Sequence, residues 1–213
     1  MTERTTIHLL RHGEVHNPEG VLYGRLPDYH LSALGREMAE RAATALAGRD
    51  VTVVTASPLD RAQETAAPVG AAFDLPVGSD ADLIEADNVF EGKRVLGGDG
   101  VLRDPRYWRY LWNPLTPSWG EPYTQVAARM RNAVRRAREQ ARGHEAVLVS
   151  HQLPIWITRL DAEDRSFVHD PRRRQCGLAS LTSFTFDGNR LVAVSYTEPA
   201  GDLAARASKS TGA

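Results

Sequence analysis

The sequence predicts an α/β fold: a three-layer α/β/α sandwich with a mainly parallel sheet and an inserted helical and loop subdomain. Short β-branched or apolar runs at residues 5–10, 51–55 and 146–149 alternate with segments whose apolar residues recur at helical spacing, the pattern of a parallel sheet covered on both faces. Two alternating runs at 181–186 and 191–196, joined through Asp187-Gly188-Asn189, predict an antiparallel hairpin at the sheet's end. From about residue 86 to 125 the periodicity loosens around Gly97-Gly98-Asp99-Gly100 and several prolines, which marks the insertion.

The first strand, TTIHLL, stops abruptly at Arg11-His12-Gly13-Glu14, and a loop rich in Gly, Pro and Asn follows to about Tyr29. Ser32 is placed to cap a helix whose inner face is Leu34, Met38, Ala42, Ala45 and Leu46, and Gly48 ends it. After the second strand, Ser57-Pro58-Leu59-Asp60 reads as a helix start, with Ser57 as N-cap, Pro58 at the first helical position and Arg61 in the first turn. Val126, Met130, Ala133, Val134, Ala137 and Ala141 predict a long amphipathic helix closed by Gly143. The third strand ends at Ser150-His151, and a short helix is expected over 155–160. One domain over 1–197 is expected, with a disordered tail over 198–213, where the residues are small and polar.

Acidic and basic residues nearly cancel, leaving a formal charge of -1, so neither a nucleic-acid footprint nor a polybasic membrane surface is present and any anion site must be local. The single cysteine, Cys176, has no intramolecular partner, and the seven histidines come without cysteine pairs at zinc spacing. The amino terminus holds too short an apolar run for a signal-peptide core or a membrane span. The expectation is a soluble, cytoplasmic protein with no nucleic-acid or membrane partner, and nothing in the sequence specifies an oligomeric state.

Three strands thus end in or just before Arg11-His12, Arg61 and His151, and ligands of such sheets bind beyond the carboxyl ends of the strands. Two guanidiniums and two imidazoles gathered there suit a compact, multiply charged anion, and phosphate fits the planar paired donors of arginine. A neutral His12 imidazole can attack phosphorus and split one hard step into two. Gly13 is expected to let the backbone approach the phosphate closely. In Leu83-Ile84-Glu85-Ala86 a carboxyl sits among apolar neighbours, so burial would keep part of Glu85 protonated and make it the general acid.

Leu10-Arg11-His12-Gly13-Glu14, then Ser57-Pro58-Leu59-Asp60-Arg61-Ala62-Gln63-Glu64-Thr65-Ala66, then Leu83-Ile84-Glu85 with Phe90-Glu91-Gly92-Lys93, then Val149-Ser150-His151 resemble the four ordered signatures of the histidine phosphatase superfamily, in its phosphoglycerate mutase-like branch. The resemblance spans about residues 5–160 and implies His12 as the phosphorylated nucleophile, Arg11, Arg61 and His151 as the phosphate pocket, and Glu85 as the proton donor. It implies no metal and no organic cofactor. Asn17 resembles a loop asparagine that touches phosphate in many members, although it lies one residue closer to the first signature than in the glycolytic mutases. Gln152 stands where a glycine usually follows the second histidine, and it joins Asn17 as a candidate substrate-binding residue. Asn88 and Phe90 replace a glycine and a tryptophan of the acid-loop pattern.

His12-Gly13-Glu14-Val15-His16 superficially suggests a zinc helix, but the glutamate is misplaced and Gly13 and Pro18 oppose a helix there. Ser150 lacks the turn of a serine hydrolase. Tyr107, Trp108, Tyr110, Trp112 and Trp119 either form the core of the insertion or wall the pocket mouth. Arg135, Arg136 and Arg138 read as a solvated helix face, whereas Arg172-Arg173-Arg174 is either a surface turn or a second anion contact. The expected activity is hydrolysis of a small phosphomonoester through phospho-His12. Phosphoglycerate mutase is the alternative among enzymes, and a non-catalytic phospho-ligand binding protein the alternative outside them. A mutase must shield its phosphoenzyme from water while a small bisphosphate reorients, and an aromatic-rich insertion suits a bulkier substrate at least as well.

Overall fold

The computed structural model describes residues 4–94, 108 and 119–207. In chain order the regular elements are β1 (Arg4–Arg11), α1 (Ala33–Ala45), β2 (Val51–Ala56), α2 (Asp60–Phe73), β3 (Val77–Ser79), α3 (Tyr123–Gln140), β4 (Glu145–Ser150), α4 (Gln152–Ala162), β5 (Leu181–Asp187) and β6 (Arg190–Thr197). The strands form one mixed sheet in the order β3-β2-β4-β1-β5-β6. Its first four strands are parallel, and β5 and β6 add an antiparallel hairpin beside β1.

Alternation along the central strands divides the core. Ile7, Leu9, Ala146 and Leu148 pack with α3 and α4, while Leu10, Val147 and Val149 pack with α1 and α2. Both faces of the sheet are therefore covered, which is why β1 and β4 read as continuous apolar runs. The one polar interruption, His8, is buried and held on both sides, by Ser183 Oγ at 2.7 Å and Glu145 Oε2 at 2.8 Å. Ser32 Oγ caps α1 by accepting the Gly35 N–H at 2.9 Å. Gly48 and Gly143, at φ +77° and +81°, sit just beyond α1 and α3 in the left-handed region that glycine enters freely. Among the described residues no helix is long and apolar enough to cross a membrane.

Several elements differ from expectation. β3 is an edge strand of three residues, too short to show a period. Helix α2 starts at Asp60 with Leu59 as its N-cap, so, contrary to expectation, Ser57 is not the cap and Pro58 is not the first helical residue. Helix α4 starts at Gln152, three residues early, because Pro154 lies in the first turn, where the N–H it lacks has no intrahelical partner. The tail expected to be disordered from residue 198 is ordered through 207: Gly201–Arg206 is a 3-10 helix, and Ala200 and Leu203 are buried against the α1/α2 side of the core. Most of the expected insertion, including Tyr107, Tyr110 and Trp112, lies outside the described residues. Its two ends are tied together, with Val89 N–H donating to Trp119 O at 2.8 Å and Glu121 N–H to Asp87 O at 3.1 Å.

Candidate active site

The parallel pairing of β1 with β4 matches Arg11 to Ser150, so the next residues, His12 and His151, leave the sheet side by side. Their ring centroids are 5.1 Å apart and both imidazoles are fully buried. His12 Nδ1 lies 2.8 Å from Gly13 O. A carbonyl only accepts, so Nδ1 carries the proton and Nε2 keeps a free lone pair. Burial, reinforced by Arg61 and Arg11, pushes the His12 pKa well below 6.5. The ring is therefore neutral at neutral pH, the form a nucleophile requires.

His151 Nε2 bonds Ser57 Oγ at 2.8 Å, and burial, Arg61, His12 and Arg11 all push its pKa down as well. Arg61, in the first turn of α2, is fully buried; its Nη2 donates to Gly24 O at 2.5 Å and its guanidinium lies 4.7 Å over the Tyr23 ring. Arg11 Nη1 donates to Cys176 O at 2.8 Å. Seven buried side-chain polar atoms among the described residues lack a partner, and four of them are Arg11 Nε, His12 Nε2, Arg61 Nε and His151 Nδ1. Buried polar groups are rarely left unpaired, and a cluster of them on cationic and imidazole side chains marks a socket for an anion.

Glu85 lies on the loop after a 3-10 helix at Ala81–Leu83 and is 5% exposed. Burial raises its pKa from 4.5, against the opposing pull of the Ala86 N–H, Arg61, Arg11 and Arg174. Its backbone is clamped: Ser150 Oγ donates to Leu83 O at 2.7 Å, Arg129 to Asp82 O and Ile84 O at 2.7 and 2.6 Å, and Arg25 Nε to Glu85 O at 2.7 Å. Glu121 joins the two arginines, accepting from Arg25 at 2.8 Å and from Arg129 at 2.9 and 3.0 Å. Glu85 borders a cavity of about 260 Å³ whose wall includes Asp87, Trp119, Glu121, Tyr123 and Arg174. A larger groove, of about 520 Å³ on the surface beside Arg138 and Asn189, contains none of these groups.

The structure thus brings His12, Arg11, Arg61, His151 and Glu85 into one electrostatic neighbourhood, but uses the other candidates differently. Asn17 commits its amide to Val21, donating to the carbonyl at 2.9 Å and accepting the N–H at 3.3 Å, and so holds the loop after β1. Gln152 reaches Cys176 O and Arg174, each at 3.4 Å. Gly13 is needed for packing: a Cβ there would overlap the carbonyl of Gly35 in α1, and a Cβ on Gly35 would overlap that of Glu14. The Gly13 N–H is already taken by Thr65 Oγ1 at 3.1 Å. Tyr23 and the Arg25–Glu121–Arg129 clamp have no local signal in the sequence, and Ser57, expected as a helix cap, bonds His151 instead. A group of possible metal ligands, Asp28, His30 and Asp60, is largely exposed, and His30 already bonds Glu64 at 2.6 Å.

A family profile, histidine phosphatase superfamily (branch 1), matches residues 7–199. The Mycobacterium tuberculosis protein Rv0525 is 60% identical over 200 residues, covering 94% of this chain and 99% of its own. The adenosylcobalamin/alpha-ribazole phosphatase of Escherichia coli is 31% identical over 166 residues, covering 71% of this chain and 77% of that protein. Among solved structures, Bacillus stearothermophilus YhfR superposes with a TM-score of 0.74 and 27% identity, over 89% of this chain and 96% of that one.

Proposed function

The chain belongs to the histidine phosphatase superfamily, and on that premise we propose that it hydrolyses a small phosphomonoester through a phosphohistidine on His12, with Glu85 as the proton donor. His12 Nε2 attacks phosphorus as the ester oxygen departs, and the Glu85 carboxyl gives that oxygen its proton. Water then attacks the phosphohistidine while the Glu85 carboxylate takes a proton from it, which restores His12 and releases inorganic phosphate. Arg11, Arg61 and His151 hold the phosphoryl oxygens through both steps. Fixed donors of this kind supply most of what phosphoryl transfer requires, since the reaction is largely positioning and charge stabilisation.

The observation that carries this reading is the set of four unpartnered polar atoms on Arg11, His12, Arg61 and His151. The raised pKa of Glu85 supports it independently, because an acid must hold its proton near neutral pH to give it away. The E. coli relative, itself named a phosphatase, supports hydrolysis as the reaction class. The test is release of inorganic phosphate from a panel of phosphometabolites in the presence of EDTA, with 3-phosphoglycerate plus bisphosphoglycerate included. Hydrolysis that persists in EDTA is expected. Formation of 2-phosphoglycerate would make the protein a mutase, binding without turnover would make it a phospho-ligand binding protein, and activity lost to EDTA but restored by metal would make it a metallophosphatase.

A further inference from the structure

Arg172, Arg173 and Arg174 stand in a row, yet only the third turns inward. Arg172 and Arg173 are exposed, and Arg172 pairs with Asp170 at 2.9 Å. Arg174 instead lines the cavity that Glu85 borders. Its Nε donates to His169 Nε2 at 2.9 Å and its Nη1 to Gln152 Oε1 at 3.4 Å, and the Tyr123 hydroxyl interacts with it as well. His169 is set up to accept that bond: its Nδ1 lies 2.7 Å from Phe167 O, which fixes the proton on Nδ1 and leaves Nε2 free. The ring is braced by Tyr123 and Trp156, with centroids at 5.5 and 6.0 Å.

An imidazole, an amide and a phenol orient this guanidinium, but none of them neutralises it, and among the described residues it makes no ion pair. The carboxyl beside it in the cavity wall, Glu85, is one that burial favours in the protonated form. A half-buried cation held by neutral groups is poised for an anion from outside the chain. Arg174 lines the cavity that Glu85 borders, whose wall includes neither Arg11 nor Arg61, and an alcohol taking its proton from Glu85 would occupy that cavity. The charge of the wall narrows the choice of anion. Glu121 in the wall is already paired with Arg25 and Arg129, but Asp87 also lines the cavity and opposes a second dianionic phosphate more strongly than a single carboxylate.

We propose that Arg174 is a specificity-determining residue and that the alcohol half of the substrate carries a carboxylate, which this guanidinium binds. The proposal rests on the hydrolase reading above. Matched substrate pairs test it: 3-phosphoglycerate against sn-glycerol 3-phosphate, and O-phosphoserine against O-phosphoethanolamine, the members of each differing in whether they carry a carboxylate. The wild-type protein should favour the acidic member of each pair in kcat/KM. Arg174→Gln should lower that preference by about 10- to 100-fold, mainly through KM, as expected for loss of a charge-assisted hydrogen bond. Arg174→Lys, which keeps the charge but not the planar fork, should retain part of it. A preference unchanged by Arg174→Gln and Arg174→Lys overturns the proposal, and so does a wild-type protein indifferent to the carboxylate. Equal losses on both members would reassign Arg174 to the phosphoryl group. Failure of the wild type to turn over even an activated aryl phosphate would remove the hydrolase reading and this inference with it, whereas aryl turnover without acidic preference removes the inference alone.

Discussion

Replacing Glu85 with glutamine should slow the chemistry and stabilise the fold, and both effects can be worked from the surroundings of one carboxyl. The side chain is 5% exposed and accepts the Ala86 N–H at 2.8 Å, a bond that a glutamine oxygen can keep. What glutamine cannot do is give a proton to a poor leaving group. Phosphorylation of His12 by an alkyl phosphate should therefore slow by about 10²- to 10⁴-fold, while an activated aryl phosphate, whose leaving group departs unaided, should be nearly unaffected. Single-turnover rapid quench is the assay, because Glu85 also acts in the second step and steady-state rates mix the two. In the wild type the alkyl rate should fall on the alkaline side as Glu85 loses its proton, and this limb should vanish in Glu85→Gln. His12, with its pKa well below 6.5, stays neutral over that range. For stability the sign follows from linkage. Folding raises the Glu85 pKa above 4.5, so the native state binds more protons than the unfolded state between the two values. The favourable contribution is complete below the unfolded pKa and is lost as pH rises through the folded one, at about 1.4 kcal/mol per unit of separation. At neutral pH Glu85→Gln removes that deficit, and for a chain of this size each kcal/mol recovered raises Tm by about 2–4 °C. Equal slowing of aryl and alkyl substrates, or a variant that melts below the wild type at neutral pH, would refute the assignment.

Arg61→Ala should harm aryl and alkyl substrates alike, by about 10²- to 10³-fold in single-turnover rate, because the guanidinium acts on the phosphoryl group common to both. Ser57→Ala removes the hydroxyl bonded to His151 Nε2; a loss of about 10- to 100-fold in phosphorylation rate, with destabilisation of about 1–3 kcal/mol by urea denaturation, is expected from stripping a buried imidazole of its partner. Gly35→Ala would drive a methyl into the Glu14 carbonyl, so destabilisation of about 1–3 kcal/mol by urea denaturation should accompany lost activity as the loop carrying His12 shifts.

The sequence reveals the site where its residues ride on strong local signals. His12 and His151 follow apolar strands directly, and Arg61 sits in the first turn of a helix that follows a strand. The alternation of apolar runs also carries most of the sheet. What escaped notice depends on contacts far apart in the chain. Arg25, Glu121 and Arg129 hold the Glu85 loop across sequence separations that no local pattern encodes. Ser57 resembled a helix cap because serine before proline and an acid commonly is one, yet its hydroxyl bonds the histidine that follows β4. Gly13 reads as an anion-loop glycine and Gly35 carries no local signal, yet the close crossing of their backbones requires both. Leu203 anchors a segment whose small, polar composition suggested disorder. Arg174 could not be separated from Arg172 and Arg173 until the fold showed which of the three faces the cavity.

The central claim is a covalent bond between His12 and phosphorus. Its direct test is to mix the protein with a ³²P-labelled substrate, quench in alkali within the first turnover, and map the label by proteolysis. The account predicts alkali-stable, acid-labile phosphate on His12, formed and lost at rates that account for turnover, and none in His12→Ala. Label at another residue, or hydrolysis that continues in His12→Ala, would contradict it.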